Sequence, residues 1–173
     1  MRAAAFLRTV TVDQTDLLER FLALMQTRAF RFCVIGGQAV NAYVDPLVSL
    51  DLDVAVAGDQ LPMVEDALRS AFGVERFPHS LNVSDPDSAL RIQIQIDPRY
   101  AAFVPRATVR DVLGYQMPVA ALDDVLQGKV WAAGDATRRP SKRQKDLADI
   151  ARILEARPEF RAAVPAAILD RLV

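Results

Sequence analysis

Two consecutive stretches, "FRFCVIGGQAVNAYV" from Phe30 and "SLDLDVAV" from Ser49, limit what this chain can fold into. The first is a short apolar run that ends on Gly36 and Gly37 and continues with Ala39, Val40 and Tyr43 at helical spacing, until Asp45-Pro46 breaks it. That order predicts a buried strand, a tight turn and a helix. The second stretch reads as another strand, closed by Gly58, yet it carries Asp51 and Asp53 one residue apart. Residues i and i+2 of a strand share a face, so the two carboxylates project together while Leu50, Leu52 and Val54 face the other way. Like charges ~7 Å apart on one face disfavour folding unless a cation or basic partner compensates. A solvated edge strand also accommodates such a pair. The glycines likewise admit two readings, an ordinary strand-to-helix turn or backbone N–H groups opened to an anion at a helix start. Taken together, turn and pair bring an anion cradle and hard oxygen ligands suited to Mg²⁺ into one unit.

Composition sets the frame for the rest. With 173 residues, 51% of them hydrophobic, the chain is expected to form a single domain over residues 1–173, with a core from about 15 to 120 and a C-terminal helical part from about 121 to 173. A net charge of -1 and a pI near 5.8 exclude a global pull toward nucleic acid or anionic membrane and leave only local patches. The single cysteine, Cys33, lies in the first apolar run, which suits a reducing compartment and a role as core filler. The opening "MRAAAFLRTVTVDQTD" begins like a signal peptide, but Arg8 interrupts its apolar run and no cleavage region follows. No segment reaches the ~20 apolar residues of a membrane span, so a soluble, cytoplasmic protein without a membrane partner is expected.

Further elements follow from periodicity. Leu17, Leu18, Phe21, Leu22 and Met25 predict a helix over 15–29, and Leu61, Val64, Leu68 and Phe72 another from Pro62 to about Phe72. "VERF", "SLNVS" and "ALRIQIQID" read as strands. The last alternates, with Leu90, Ile92, Ile94 and Ile96 on one face and Arg91, Gln93, Gln95 and Asp97 on the other. A further strand or extended segment is expected between Val109 and Val119. "ALDDVLQGKVWAAG" and "SKRQKDLADIARILEAR" then predict two helices, with a short helix after Pro158. The fold class is α/β, a small mixed sheet with packed helices and a C-terminal helical part. A Rossmann-type dinucleotide site is excluded because no G-x-G-x-x-G follows the first strand.

"VIGGQAVNAYV" followed by "SLDLDVAV" resembles the signature of the DNA polymerase β-like nucleotidyltransferase superfamily, in which a G-G/S turn precedes an aspartate pair on the next strand. The later "ALDDVLQGKVWAAGDATRRPSKRQKDLADIARIL" is similar to the tail of its AbiEii-type toxin branch and of related small bacterial nucleotidyltransferases. The resemblance covers roughly residues 32–154. It implies transfer of a nucleoside monophosphate from a nucleoside triphosphate to an acceptor, with pyrophosphate leaving. Asp51 and Asp53 would hold two Mg²⁺ ions ~3.5–4 Å apart, and Gly36, Gly37 and Ser49 would seat the triphosphate. The acceptor, a tRNA, a protein or a small molecule, is not selected by any residue, and the toxin branch implies a cognate antitoxin as partner.

The resemblance also implies a third metal-binding acid on a neighbouring antiparallel strand. Here "RIQIQID" offers Gln93 and Gln95 before Asp97, and Asp97 is the expected third acid because an amide can neither neutralise a metal nor act as a base. Lys129 is either a solvated lysine or one that reaches phosphate or an acid of the last helix. Lys145 is assigned to the nucleotide, and Asp146 and Asp149 to a partly buried structural role. The basic "TRRPSKRQK" solvates a helix start or contacts phosphate. His79 is assigned nothing, and Trp131 is expected in the core. The rival reading, favoured by Gln93 and Gln95, is a catalytically degenerate nucleotide-binding or protein-interaction module of the same fold.

Overall fold

The computed structural model describes residues 12–172, and the first residues of the opening stretch lie outside them. Helix α1 (Val12–Thr27) is followed by β1 (Phe32–Ile35), α2 (Gly36–Asn41), β2 (Asp51–Val56) and α3 (Leu61–Ala71). Strands β3 (Gly73–Arg76), β4 (Ser80–Ser84) and β5 (Arg91–Gln95) come next, then a one-turn helix, α4 (Pro98–Ala101). A hairpin of β6 (Thr108–Val112) and β7 (Tyr115–Val119) leads into α5 (Leu122–Gly134) and α6 (Pro140–Ala156), and the short α7 (Ala166–Leu169) closes the described chain. This is the α/β class expected, a seven-stranded mixed sheet in the order β3-β4-β5-β2-β1-β7-β6 with helices packed on it.

The central strands are where the sequence is most apolar. All four residues of β1 are buried, and since neighbours in a strand face opposite sides, the sheet is covered on both faces there. Leu17, Phe21 and Met25 of α1 and Val64 and Leu68 of α3 join Leu126 of α5 and Ile150 and Ile153 of α6 in one continuous core. Cys33 is fully buried within it, and burial first, with Asp124 nearby, pushes its thiol up to about 12, so it remains protonated as expected of core filler.

Two local expectations need correction. The segment from Val109 to Val119 is a two-strand hairpin, because Leu113 and Gly114 both adopt positive φ, 53° and 86°, and turn the chain in two residues. The strand carrying Gln93 and Gln95 runs parallel to β2, not antiparallel, in a register that sets Asp51 opposite Arg91 and Asp53 opposite Gln93.

Helices α5 and α6 are joined by charge as well as by apolar contact. The ammonium of Lys129, buried in α5, lies 3.1 Å from Asp146 Oδ1 and 2.7 Å from Asp149 Oδ2, one turn apart on α6. Burial alone would lower its pKa, but Asp149 and Asp146 outweigh that and hold it above its ordinary value. Arg138 caps the arrangement at 2.7 Å from Asp146, and Arg152 at 2.9 Å from Asp149. The structural role assigned to both aspartates has this geometry beneath it.

Truncating one member of a buried ion cluster leaves its partners unpaired. Lys129→Met is therefore expected to destabilise the protein by about 3–5 kcal/mol, read from urea unfolding. At the end of α1 the effect runs the other way. Ala29 is exposed with φ 53°, and the N–H groups of Ala29 and Phe30 close the helix on the carbonyls of Gln26 and Met25. Ala29→Gly is expected to stabilise by about 1 kcal/mol and raise the melting temperature by about 2–4 °C.

Candidate active site

Asp51 and Asp53 stand side by side on β2 because Leu52 and Val54 occupy the opposite, fully buried face. Antiparallel β1 brings Ile35 opposite Asp53, so the turn that follows β1 arrives directly at the aspartate. Gly36 has φ 67°, and a Cβ there would overlap Asp53 Oδ2; both the backbone and the neighbouring carboxylate require glycine. Gly37 is the second residue of α2, and a Cβ there would meet Asp149 Oδ2 in ordinary contact at 3.8 Å.

The loop between α2 and β2 is held by two amide side chains. Gln38 Nε2 donates to the Ser49 carbonyl at 3.0 Å. Asn41 donates to the Leu47 carbonyl and accepts from the Leu47 N–H. Ser49 Oγ then accepts from the Asp51 N–H at 3.2 Å, which fixes the entry into the strand.

The two carboxylates have different surroundings. Asp51 Oδ1 accepts from Arg91 Nε at 2.9 Å, and its Oδ2 lies 3.8 Å from Lys142 Nζ. Asp53 Oδ1 is shut off from solvent and has no hydrogen-bond donor. Burial pushes the Asp53 carboxyl above its ordinary range; Lys129 opposes the shift and the charge of Asp51 adds to it. A buried carboxylate oxygen without a partner is costly unless a cation completes it.

Facing the pair across a cleft of about 460 Å³ are the start of α6 and the loop before it, which contribute Arg138, Arg139, Lys142 and Lys145. Gly37 and Ser49 line the same cleft, and Lys129 and Asp146 close its floor. A smaller pocket of about 90 Å³ shares Asp53, Gln93 and Lys129 with it and extends to Tyr100 and Gly128. A cleft with hard oxygen ligands on one wall, cations on the other and a glycine turn between them is built for a polyanion accompanied by a divalent cation.

Of the residues expected from sequence, Asp51, Asp53, Gly37, Ser49, Lys129 and Lys145 line this cleft, and Gly36 lines the smaller pocket against Asp53. Lys129 reaches the acids of the last helix, the second of its alternatives, and its ammonium is held between them. Asp97 does not join them. It lies two residues beyond the end of β5 and four past Gln93, the residue opposite Asp53, and it is not among the residues lining the cleft. There it caps α4, accepting from the Arg99 N–H at 3.0 Å and from the Arg99 guanidinium at 2.8 Å, and that guanidinium holds its carboxyl below the ordinary range. Among the described residues, no group of three or more Asp, Glu, His or Cys side chains converges on a metal position.

Sequence reasoning missed the Arg91 contact to Asp51, and Ser80 and Asn82 of β4, which pair with Gln95 and Gln93 and line the cleft. Trp131 is only partly buried, stacked on Phe103 with centroids 5.8 Å apart and covered by Arg99.

No family model matches the chain, and no curated protein matches it. Solved structures do share its fold. A crystal structure of ANT(2'')-Ia in complex with adenylyl-2''-tobramycin matches with a TM-score of 0.62 at 15% identity, over 92% of this chain and 99% of that one. The lincosamide antibiotic adenylyltransferase LnuA, lincomycin-bound, matches with a TM-score of 0.51 at 11% identity, over 79% of this chain and 95% of that one. JHP933 from Helicobacter pylori matches with a TM-score of 0.52 at 17% identity, over 93% of this chain and 72% of that one. At these identities what is shared is the fold, and the chain folds as nucleotidyltransferases do.

Proposed function

We propose that the chain is a nucleotidyltransferase that moves a nucleoside monophosphate from a nucleoside triphosphate to an acceptor, with Mg²⁺ in the cleft. The observation that carries this reading is the buried, unpartnered Asp53 oxygen beside Asp51, facing a wall of cations across one cleft. The donor set fits a hard divalent ion, held by Asp53 and Asp51 and completed by phosphate oxygens. When bound, the ion supplies Lewis-acid stabilisation of the transferring phosphoryl group.

The chain's own residues position the substrate. Gly37 and the first amides of α2 approach the phosphates closely, and Lys145 with Arg139 takes the outgoing end. The acceptor oxygen attacks the α-phosphorus, the bond from that phosphorus to the bridging oxygen breaks, pyrophosphate leaves with the electron pair, and the acceptor proton passes to solvent. Lys129 stays behind the aspartates, paired to α6, and its field opposes the burial that raises the Asp53 pKa. Adenylyl transfer by LnuA on the same fold supports this chemistry. The acceptor in this reading is a tRNA, a protein or a small molecule. The toxin-branch role with a cognate antitoxin rests on the two C-terminal motif blocks, and co-purification with the product of the adjacent gene tests it.

A second reading, nucleotide binding without transfer, is favoured by one observation: the position opposite Asp53 on β5 holds Gln93, a neutral amide. Incubation with labelled triphosphates, Mg²⁺ and a cell extract as acceptor source separates the two. Labelled product supports transfer, and Mg²⁺-dependent binding without product supports the second reading.

Asp53→Asn is expected to lower transfer by about a thousandfold or more, the effect of several kcal/mol at the transition state. The same substitution stabilises the metal-free protein. Because the folded-state pKa of Asp53 is raised, the cost of its charge is present above that pKa and vanishes below the ordinary carboxylate value of 3.8. The melting temperature of Asp53→Asn without metal should exceed that of the parent at neutral pH, by the order of 1 kcal/mol in stability, and the difference should close as pH falls through that window. Lys145→Ala is expected to weaken triphosphate binding about tenfold by calorimetry while leaving the melting temperature unchanged.

A further inference from the structure

The geometry points to a site for one divalent cation rather than two, held by Asp53 and Asp51, with the ammonium of Lys142 standing where a second ion would neutralise the triphosphate. This rests on the nucleotide reading above and specifies its metal content. Two divalent ions ~3.5–4 Å apart repel four times as strongly as two unit charges, and such a pair persists only where carboxylates bridge and surround it. The cleft offers little anionic charge for that purpose. Asp146 is held between Lys129 and Arg138, and Asp51 shares its oxygens with Arg91 and Lys142. Of the carboxylates lining the cleft, Asp53 keeps a buried oxygen without a donor, whereas the buried Asp149 Oδ2 behind it lies 2.7 Å from the Lys129 ammonium. The strand position opposite it is Gln93, which contributes an oxygen but no charge. Asp97, two residues beyond the end of that strand, is committed to Arg99 at the start of α4.

Lys142 is suited to the second role by its place. Its Nζ is 3.8 Å from Asp51 Oδ2, it rises from the first turn of α6, and it lines the cleft on the side of Arg139 and Lys145. An ammonium there delivers one positive charge to the phosphates without asking for additional carboxylates.

Mn²⁺ titration of the full chain, followed by electron paramagnetic resonance with a non-hydrolysable triphosphate analogue at saturation, counts the ions. One Mn²⁺ per chain is expected, rising to two in Gln93→Glu or Gln93→Asp, which restore a carboxylate opposite Asp53. Lys142→Ala is expected to keep one Mn²⁺ and to weaken analogue binding about tenfold, with Lys142→Arg restoring most of it. Two ions in the parent chain overturn the inference while leaving the nucleotide reading intact. Absence of both Mn²⁺ and analogue binding overturns the nucleotide reading itself, and this inference with it. Analogue affinity unchanged in Lys142→Ala overturns the part given to the lysine, and a single ion in both Gln93 variants overturns the part given to the amide.

Discussion

The buried ammonium of Lys129 between Asp146 and Asp149 is the interaction on which the site depends. Removing three charges from water is unfavourable unless each finds partners, and here each does, with Arg138 and Arg152 completing the set. The cluster has consequences at both ends. Arg152 extends from Asp149 to the Asn41 side chain and the Asp45 carbonyl, so the loop that delivers Asp51 is fastened to α6. At the other end the field of Lys129 acts on Asp53. An apolar substitute could hold two helices together; it could not also support a carboxylate on the neighbouring strand.

Much of this was legible in the sequence because independent signals coincided. A buried strand, two glycines, a helix and a strand with two acids leave few arrangements, and Gly36 with its positive φ against Asp53 shows why the turn and the pair occur together. What was not legible was register. Alternation in "RIQIQID" says that Gln93, Gln95 and Asp97 share a face, but it cannot say which of them meets Asp53, since a shift of two residues preserves the face. The parallel pairing settles it on Gln93. A local signal for the fate of Asp97 was present, because Asp followed by Pro is the start of a helix, with aspartate as cap and proline in the first turn. The β6–β7 hairpin was obscured by Leu113, which occupies a left-handed position where asparagine or glycine is the usual marker.

The fold alone does not assign the chemistry. Structures sharing it at 11 to 17% identity agree on the path of the chain, and a path can carry many sites. On that path this chain lays Asp51 and Asp53 of β2, Gln93 opposite Asp53 on β5, and Arg138, Arg139, Lys142 and Lys145 across the cleft.

That helix carries both kinds of charge. Along α6, Lys142 and Lys145 face the cleft, and the next residues, Asp146 and Asp149, bind the buried lysine beneath. If an anion fills the cleft, its binding and the seating of α6 on α5 become linked equilibria, each biasing the other by the same factor. An anion engaging the two lysines would hold the helix down, and a disturbance that lifts the helix would carry both lysines away from Asp51 and Asp53. Slow hydrogen exchange along the amides of α6 thus becomes a record of occupancy in the space beside it.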